Sequence, residues 1–257
     1  MNCYPYCPQA KFRSAYGDAT SLLSFDDFAL ALSHVPKGVG ISFSGFCEPF
    51  INPRTPEMIR LAKAQGHEVR IYTTLVGLRS DDVAGLKGCD EHLVLHLPDN
   101  RGVSHIPTTD GWKTTLAEVL TTLRVDHFMT MGDGFVSNDR AGNCDDAKPR
   151  HVKGPFQCEL LLAPEPVMLP NCEVVLCWMD FGLRHRVGNL KEQTYDEILS
   201  GEAFRRISSE RWKFDGTELC RSCKKATPIY KWVPQRALAA VVSTTKRTRG
   251  TSGLKSE

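Results

Sequence analysis

The fold is decided by the stretch VGISFSGFCEPFINPRTPEMIRLAKAQGHEVRIYTTL, residues 39–75. The short run Val39–Phe43 is rich in β-branched and aromatic residues and is typical of a strand. Thr55–Gln65 has the pattern of a helix, and Gly66 follows it as a C-terminal cap. Val69–Thr74 then has the pattern of a second strand. A strand, a helix and another strand joined by short connections predict a parallel β-α-β unit.

The same alternation continues along the chain. It predicts a short helix beginning at Ser80, a strand at His92–Leu97, a helix at Gly111–Leu123 and a strand at Asp126–Met131. Repeated β-α units with short connections predict an α/β fold, either a barrel or an open parallel sheet with helices outside. The segment 132–156 is rich in Gly, Asp, Asn and Lys and lacks periodicity, so we expect a linker between two domains there.

Beyond this linker the predicted elements are shorter. Strands are expected over Glu159–Leu162 and Val174–Cys177, and a helix over Thr194–Leu199 with Gly201 at its end. From Thr244 the sequence is rich in Lys, Arg, Ser, Thr and Gly, which predicts a disordered tail.

Composition bounds the class of protein. The 257 residues are 41% hydrophobic and 24% charged, which is ordinary for a globular protein. A formal net charge of +2 gives no reason to expect a nucleic-acid partner. No apolar run approaches the roughly 18 residues that cross a bilayer, and no signal-peptide core follows Met1. We therefore expect a cytoplasmic protein without nucleic-acid or membrane partners. Its ten cysteines then predict metal or cluster ligation, because the cytoplasm keeps thiols reduced.

The most specific cysteine pattern lies near the C-terminus. Cys220 and Cys223 form a C-x-x-C turn, which directs two thiolates at one centre. A strand pair such as one that carries Cys158 and Cys177 can present two more. Four thiolates suit an iron–sulfur cluster or a tetrahedral zinc ion equally well, so their chemistry alone leaves both open.

The surrounding residues resemble the SPASM/Twitch domain that is appended to radical S-adenosylmethionine (SAM) enzymes. The resemblance is carried by Val167–Asn171, Val175–Cys177, Val187–Leu190 and Tyr195–Ile198. That family has a cysteine, then a glycine five residues before a second cysteine, then a G-N-L turn with a helix, and then C-x-x-C. The sequence departs from this pattern at Cys172, which stands where the family usually has the glycine.

The resemblance also implies a ligand set. No cysteine follows Cys223 in the sequence, which is incompatible with the seven-cysteine, two-cluster form of the domain. The resemblance therefore implies the one-cluster form. Its ligands to a single [4Fe-4S] cluster would be Cys158, Cys177, Cys220 and Cys223.

A second motif resembles the SAM-binding region of the same enzymes. Phe43–Pro53 is similar to the family's G-x-G-E-P-L-x-N-P region, with Cys47 in place of a glycine. The resemblance implies that the carboxylate of Glu48 accepts hydrogen bonds from the ammonium group of SAM. It also implies polar contacts to the SAM ribose from Thr73 and Thr74, which end the second strand.

The N-terminus departs from the family. The radical SAM cluster uses three cysteines in a C-x3-C-x2-C loop, and only Cys3 and Cys7 are present. In one alignment they are the first two ligands, and Ala10 occupies the third position. In the other, which we favour, they are the last two ligands and the first precedes Met1. The family's first barrel strand also precedes this loop, so we expect an N-terminally truncated form of a longer protein.

Together these features predict a partial (β/α)6 radical SAM barrel over residues 1–140, a linker over 141–157 and a SPASM/Twitch-like domain over 158–226. A helix and tail are expected over 227–257. The implied function is reductive cleavage of SAM to a 5′-deoxyadenosyl radical that acts on a peptide or small-molecule substrate, with an electron donor such as flavodoxin or ferredoxin. The incomplete cysteine loop leaves an alternative, a non-catalytic [4Fe-4S]-binding SPASM protein, so enzymatic activity stays open.

Overall fold

A computed structural model provides the structure of the chain. It describes residues 7–17, 20–99, 104–130, 139–144, 148, 150–215 and 219–232. Cys3 and the tail from Thr244 lie outside the described residues. Among the described helices, none combines the length and the apolar character that a bilayer crossing requires.

The first part of the chain forms a four-stranded parallel sheet in the order β1-β2-β3-β4. Two helices, α1 (Gln9–Tyr16) and α2 (Phe25–Ser33), precede it. The strands are β1 (Ile41–Phe43), β2 (Val69–Thr73), β3 (Leu93–Leu97) and β4 (His127–Thr130), and the helices between them are α3 (Thr55–Ala64), α4 (Ser80–Val83) and α5 (Asp110–Thr122). The predicted α/β fold with a parallel sheet is confirmed.

Alternation along the strands places the core on the helical side of this sheet. In β2, Val69, Ile71 and Thr73 are buried, whereas the two residues between them are half-exposed. Ile59 and Ala62 of α3 are fully buried in the same apolar core. Period-two burial on a strand and a buried stripe on the following helix are what a β-α-β unit requires.

The C-terminal part is built from short antiparallel elements. A three-stranded sheet contains β6 (Val167–Met168), β7 (Glu173–Val175) and β8 (Arg186–Asn189), and a two-stranded sheet pairs β5 (Phe156–Gln157) with β9 (Thr227–Pro228). The helices are α6 (Glu159–Leu162), α7 (Tyr195–Ser200), α8 (Glu202–Ser209) and α9 (Leu219–Ser222). As predicted, α7 ends at Gly201, and it begins with a capping box between Thr194 and Glu197.

One predicted strand is wrong. Glu159–Leu162 forms the single helical turn α6. Three consecutive leucines favour a helix, and the amide of Leu161 donates to the Cys158 carbonyl at 3.1 Å. The chain therefore turns immediately after Cys158. The pairing of β5 with β9 also joins residues on either side of the predicted 158–226 domain, whose bounds stay a prediction.

Candidate functional site

Four cysteines from three separate stretches of the chain line one cavity. Cys158 follows β5, Cys177 follows β7, Cys220 lies within α9, and Cys223 lies directly after it. Cys158 and Cys223 are buried, and Cys177 and Cys220 are half-buried. The structure thus brings together all four cysteines of the predicted C-terminal ligand set.

The wall of this cavity is mainly apolar. Its other lining residues are Ala141, Leu160, Leu161, Leu176, Met179, Leu219 and Ala226, together with the polar Asp180, His185 and Lys225. An apolar shell limits the access of water and lowers the local dielectric constant. The thiols therefore face a largely dry space.

Backbone amides point at the sulfur atoms. The amide of Met179 donates to Cys177 Sγ at 3.4 Å, and the amide of Lys225 donates to Cys223 Sγ at 3.3 Å. Amides in the first turn of α6 make the same kind of contact with Cys158. Hydrogen bonds to sulfur stabilise thiolate ligands and tune the clusters that they hold. Each donor lies two or three residues after its cysteine, a spacing that could have been read from the sequence.

Burial strongly disfavours charge on these thiols in the metal-free chain. It raises the pKa of Cys177 to about 12 and that of Cys223 to about 11, and it also raises the pKa of Cys158. Within the part of the chain that the structure describes, no group of three His, Cys, Asp or Glu side chains could hold one metal ion. The four thiols line the cavity, and binding a metal there must release protons.

Cys172 does not line this cavity but lies in the apolar cluster of Val174 and Ile198, against which Cys177 packs. It is fully buried, and its φ of 64° is in the left-handed region that favours glycine. This backbone conformation explains why the family usually has glycine at this position. The structure therefore gives Cys172 no place among the four thiols.

The three residues predicted to bind SAM also come together. Glu48 is 4% exposed and lies between the carboxyl ends of β1 and β2. Its Oε1 accepts a hydrogen bond from Thr73 Oγ1 at 2.5 Å. Its Oε2 accepts from both the amide and the hydroxyl of Thr74 at 2.7 Å, and the amide of Phe50 donates to Oε1 at 3.3 Å.

This network fixes the ends of the two strands relative to each other. Burial raises the pKa of Glu48 even though the hydrogen bonds from Thr73 and Thr74 act to lower it. Trp112 Nε1 in turn donates to the carbonyl of Thr74 at 2.9 Å. Because the donors on Glu48 come from the chain itself, its contact with a SAM ammonium group stays a prediction, as do the ribose contacts.

The N-terminal cysteine segment is anchored beside this network. Gln9 is buried, and its Nε2 donates to the carbonyl of Phe46 at 3.1 Å. The ring of Phe12 stacks on that of Phe46, with their centroids 4.9 Å apart, and Cys7 packs in the same cluster. Cys47, which follows Phe46 in sequence, is exposed. Cys7 therefore lies close to the strand end that carries Glu48.

Residues 139–143 contact the loops that carry two of the cavity cysteines. Asp139 Oδ2 accepts a hydrogen bond from the amide of Lys224 at 2.9 Å, directly after Cys223. Asn143 Nδ2 donates to the carbonyl of Met179 at 3.4 Å, two residues after Cys177. The loops that carry two of the four cysteines are thereby held against residues 139–143.

Comparison with known proteins agrees with this geometry. Residues 166–224 match the SPASM family, described as an iron-sulfur cluster-binding domain. No curated protein sequence matches the chain significantly. A structure of BtrN in complex with AdoMet and 2-DOIA is 15% identical, with a TM-score of 0.55 over 80% of this chain and 81% of that one. Residues 166–224 therefore form a SPASM-type domain, and the chain shares its fold with the BtrN structure.

Two further structures resemble the chain. Selenomethionine BtrN in an open conformation is 13% identical, with a TM-score of 0.52 over 90% of this chain and 92% of that one. Native anSMEcpe with AdoMet and the Kp18Cys peptide is 11% identical, with a TM-score of 0.44 over 79% of this chain and 78% of that one. The SPASM match contains Cys177, Cys220 and Cys223, and Cys158 precedes it.

Proposed function

We propose that Cys158, Cys177, Cys220 and Cys223 ligate one [4Fe-4S] cluster. The observation that carries this proposal is the convergence of the four thiols around one apolar cavity, with backbone amides directed at three of the sulfurs. The match of residues 166–224 to the iron-sulfur cluster-binding SPASM domain supports a multi-iron cluster rather than a zinc ion.

On this basis the protein acts in SAM-dependent radical chemistry on a peptide or a small molecule. If bound, a second cluster would supply the electron for the reductive cleavage of SAM. Cys3 and Cys7 are its candidate ligands, and Glu48, Thr73 and Thr74 are the candidate SAM contacts. The likeness to the BtrN fold supports this assignment. A flavodoxin or ferredoxin in the cytoplasm would be the electron donor.

Anaerobic purification and reconstitution of the full chain test the proposal. About four irons and four sulfides per chain support one cluster, and about eight support two. Formation of 5′-deoxyadenosine from SAM under reduction, measured by chromatography, supports the enzymatic function. A protein that contains zinc, or neither iron nor sulfide, after oxygen-free preparation would overturn the cluster assignment.

The geometry around Glu48 favours a second candidate, a non-catalytic [4Fe-4S] SPASM protein. Its carboxylate is 4% exposed and already accepts hydrogen bonds from Phe50, Thr73 and Thr74. Equilibrium dialysis with SAM separates the two functions. A loaded protein that neither binds nor cleaves SAM is the non-catalytic form, whereas binding accompanied by reductive cleavage identifies the enzyme.

A further inference from the structure

A buried carboxylate lies in the wall of the four-cysteine cavity. Asp180 is 1% exposed, and it lines this cavity together with Cys177, which is three residues earlier in the chain. Its Oδ2 accepts a hydrogen bond from the amide of His185 at 2.8 Å. Its Oδ1 is buried and has no hydrogen-bond partner among the described residues. A buried oxygen of this kind is rare in folded proteins, so it requires an explanation.

The backbone holds Asp180 in a fixed position relative to Cys177. The amide of Asp180 donates to the Cys177 carbonyl at 3.1 Å, and the carbonyl of Asp180 accepts from the amide of Leu183 at 3.0 Å. The amide of Leu176 donates to the carbonyl of His185 at 2.9 Å, which closes the loop between them. The carboxylate is therefore held by a closed loop that begins at one of the proposed cluster ligands.

The charge of Asp180 acts on the cavity. Burial raises the pKa of the Cys177 thiol, and the negative charge of Asp180 adds to this effect. The apolar wall lowers the local dielectric constant, and burial shields the carboxylate from the screening of bulk water, so its interactions inside the cavity are strengthened. Any charge that an occupant of the cavity gains therefore interacts with this carboxylate.

We propose that Asp180 lowers the reduction potential of the cluster held by the four cysteines, an inference that rests on the proposed ligation. Four thiolates carry more negative charge than an iron–sulfide core carries positive charge, so the loaded site is already anionic. One-electron reduction by the electron donor adds a further negative charge, which a fixed carboxylate repels. Asp180 thus makes the reduced cluster a stronger electron donor than it is with a neutral side chain at this position.

Redox titration of the full, anaerobically loaded chain tests the inference, with electron paramagnetic resonance following the cluster. The signal is assigned as the one that is missing from Cys177→Ala. Asp180→Asn keeps the shape and the acceptor for the His185 amide but removes the charge. We expect its midpoint potential to be more positive, with a ratio of reduced to oxidised cluster about tenfold higher at the wild-type midpoint. Asp180→Glu keeps the charge and should keep the potential close to that of the wild type.

Lys225→Gln is the matched control of opposite sign. Lys225 also lines the cavity, but it is exposed, so water screens its charge. Its replacement should move the midpoint potential to a slightly more negative value. A positive shift in Lys225→Gln equal to that in Asp180→Asn would show that the potential responds to any change in the cavity wall, and it would overturn the inference.

An unchanged or more negative potential in loaded Asp180→Asn contradicts the inference, and so does an equal positive shift in Asp180→Glu. Should Asp180→Asn fail to take up iron and sulfide, Asp180→Ser is a smaller neutral replacement that carries the same expectation. If neither neutral variant is loaded, the carboxylate serves cluster uptake rather than the potential, and the inference is wrong. A wild-type chain without iron and sulfide refutes the ligation itself, whereas a loaded wild type with insensitive Asp180 variants refutes only the role of Asp180.

Discussion

Two buried charged groups, Glu48 and Arg221, are treated in opposite ways by this fold. Both are surrounded by hydrogen-bonding groups of the chain rather than by an ion pair. Glu48 can avoid the cost of a buried charge by taking up a proton, and its raised pKa reflects this. Arg221 has no such option. The strand-end network can therefore hold Glu48 in its neutral form, whereas the charge of Arg221 persists and is met by backbone carbonyls.

The largest expected effect follows from removing one thiol at the cysteine cavity. Cys177→Ala should lower the iron content of the reconstituted chain by about four atoms and abolish the corresponding absorbance. Stability should fall by several kcal/mol, because metal binding and folding share one free energy. Iron analysis and thermal unfolding under anaerobic conditions measure both quantities.

Cys89→Ala is the matched control for this substitution. Cys89 is also buried, and burial raises the pKa of its thiol, but it lies in the core behind the parallel sheet. Its replacement should leave the iron content unchanged. Equal iron loss in both variants would show that general destabilisation, and not ligation, accounts for the result at Cys177.

Replacing Glu48 should have a smaller effect than removing the Cys177 thiol. Glu48→Ala leaves the hydroxyls of Thr73 and Thr74 without their acceptor in a buried site, which costs about 2–4 kcal/mol in the free energy of unfolding. Glu48→Gln keeps the shape and some acceptor capacity and should cost about half as much. Chemical denaturation measures both free energies of unfolding. Equal stability of Glu48→Ala and the wild type would show that the network does not stabilise the fold.

The pH dependence of stability further distinguishes Glu48 from Arg221, because Glu48 can change its charge. The folded state raises its pKa above the ordinary 4.5, so the folded chain binds this proton more tightly than the unfolded chain does. The resulting stabilisation is fully present below pH 4.5 and is lost as pH rises through the folded-state pKa. The stability of the wild type relative to Glu48→Gln should therefore decrease over that range.

Glu57 provides the control of opposite sign. It is exposed, and its hydrogen bond from Arg54 lowers its pKa. Relative to Glu57→Gln, the wild type should gain stability as pH rises through the range near 4.5. A profile of the same sign for both carboxylates would mean that the raised pKa of Glu48 does not affect folding.

The sequence predicted the parallel β-α-β units and the group of four cysteines for physical reasons. Period-two and period-3.6 patterns report which side of an element is buried, as Val69–Thr73 shows. Thiolates are scarce and chemically distinctive, so the pattern from Cys158 to Cys223 indicated a common centre before any coordinates were known.

The remaining features depend on packing that sequence patterns do not encode. Glu159–Leu162 has a length and composition compatible with either a strand or a helix, and within the described residues it pairs with no strand. Arg221 looks like an ordinary surface residue of a C-x-x-C turn, because its four acceptors come from stretches 8 to 69 residues away. The hydrogen bonds to Glu48 also depend on long-range contacts, since Thr73 lies 25 residues away in sequence.

The smallest expected effect concerns the cysteine that lies outside the cavity. Cys172 occupies a left-handed conformation with φ at 64°, so Cys172→Gly removes backbone strain of about 1 kcal/mol. The same change removes a fully buried thiol, a loss of similar size and opposite sign. The free energy of unfolding should therefore change by less than about 1 kcal/mol, with full iron content. Iron loss comparable to that of Cys177→Ala would place Cys172 among the ligands and would undo the distinction between the two cysteines.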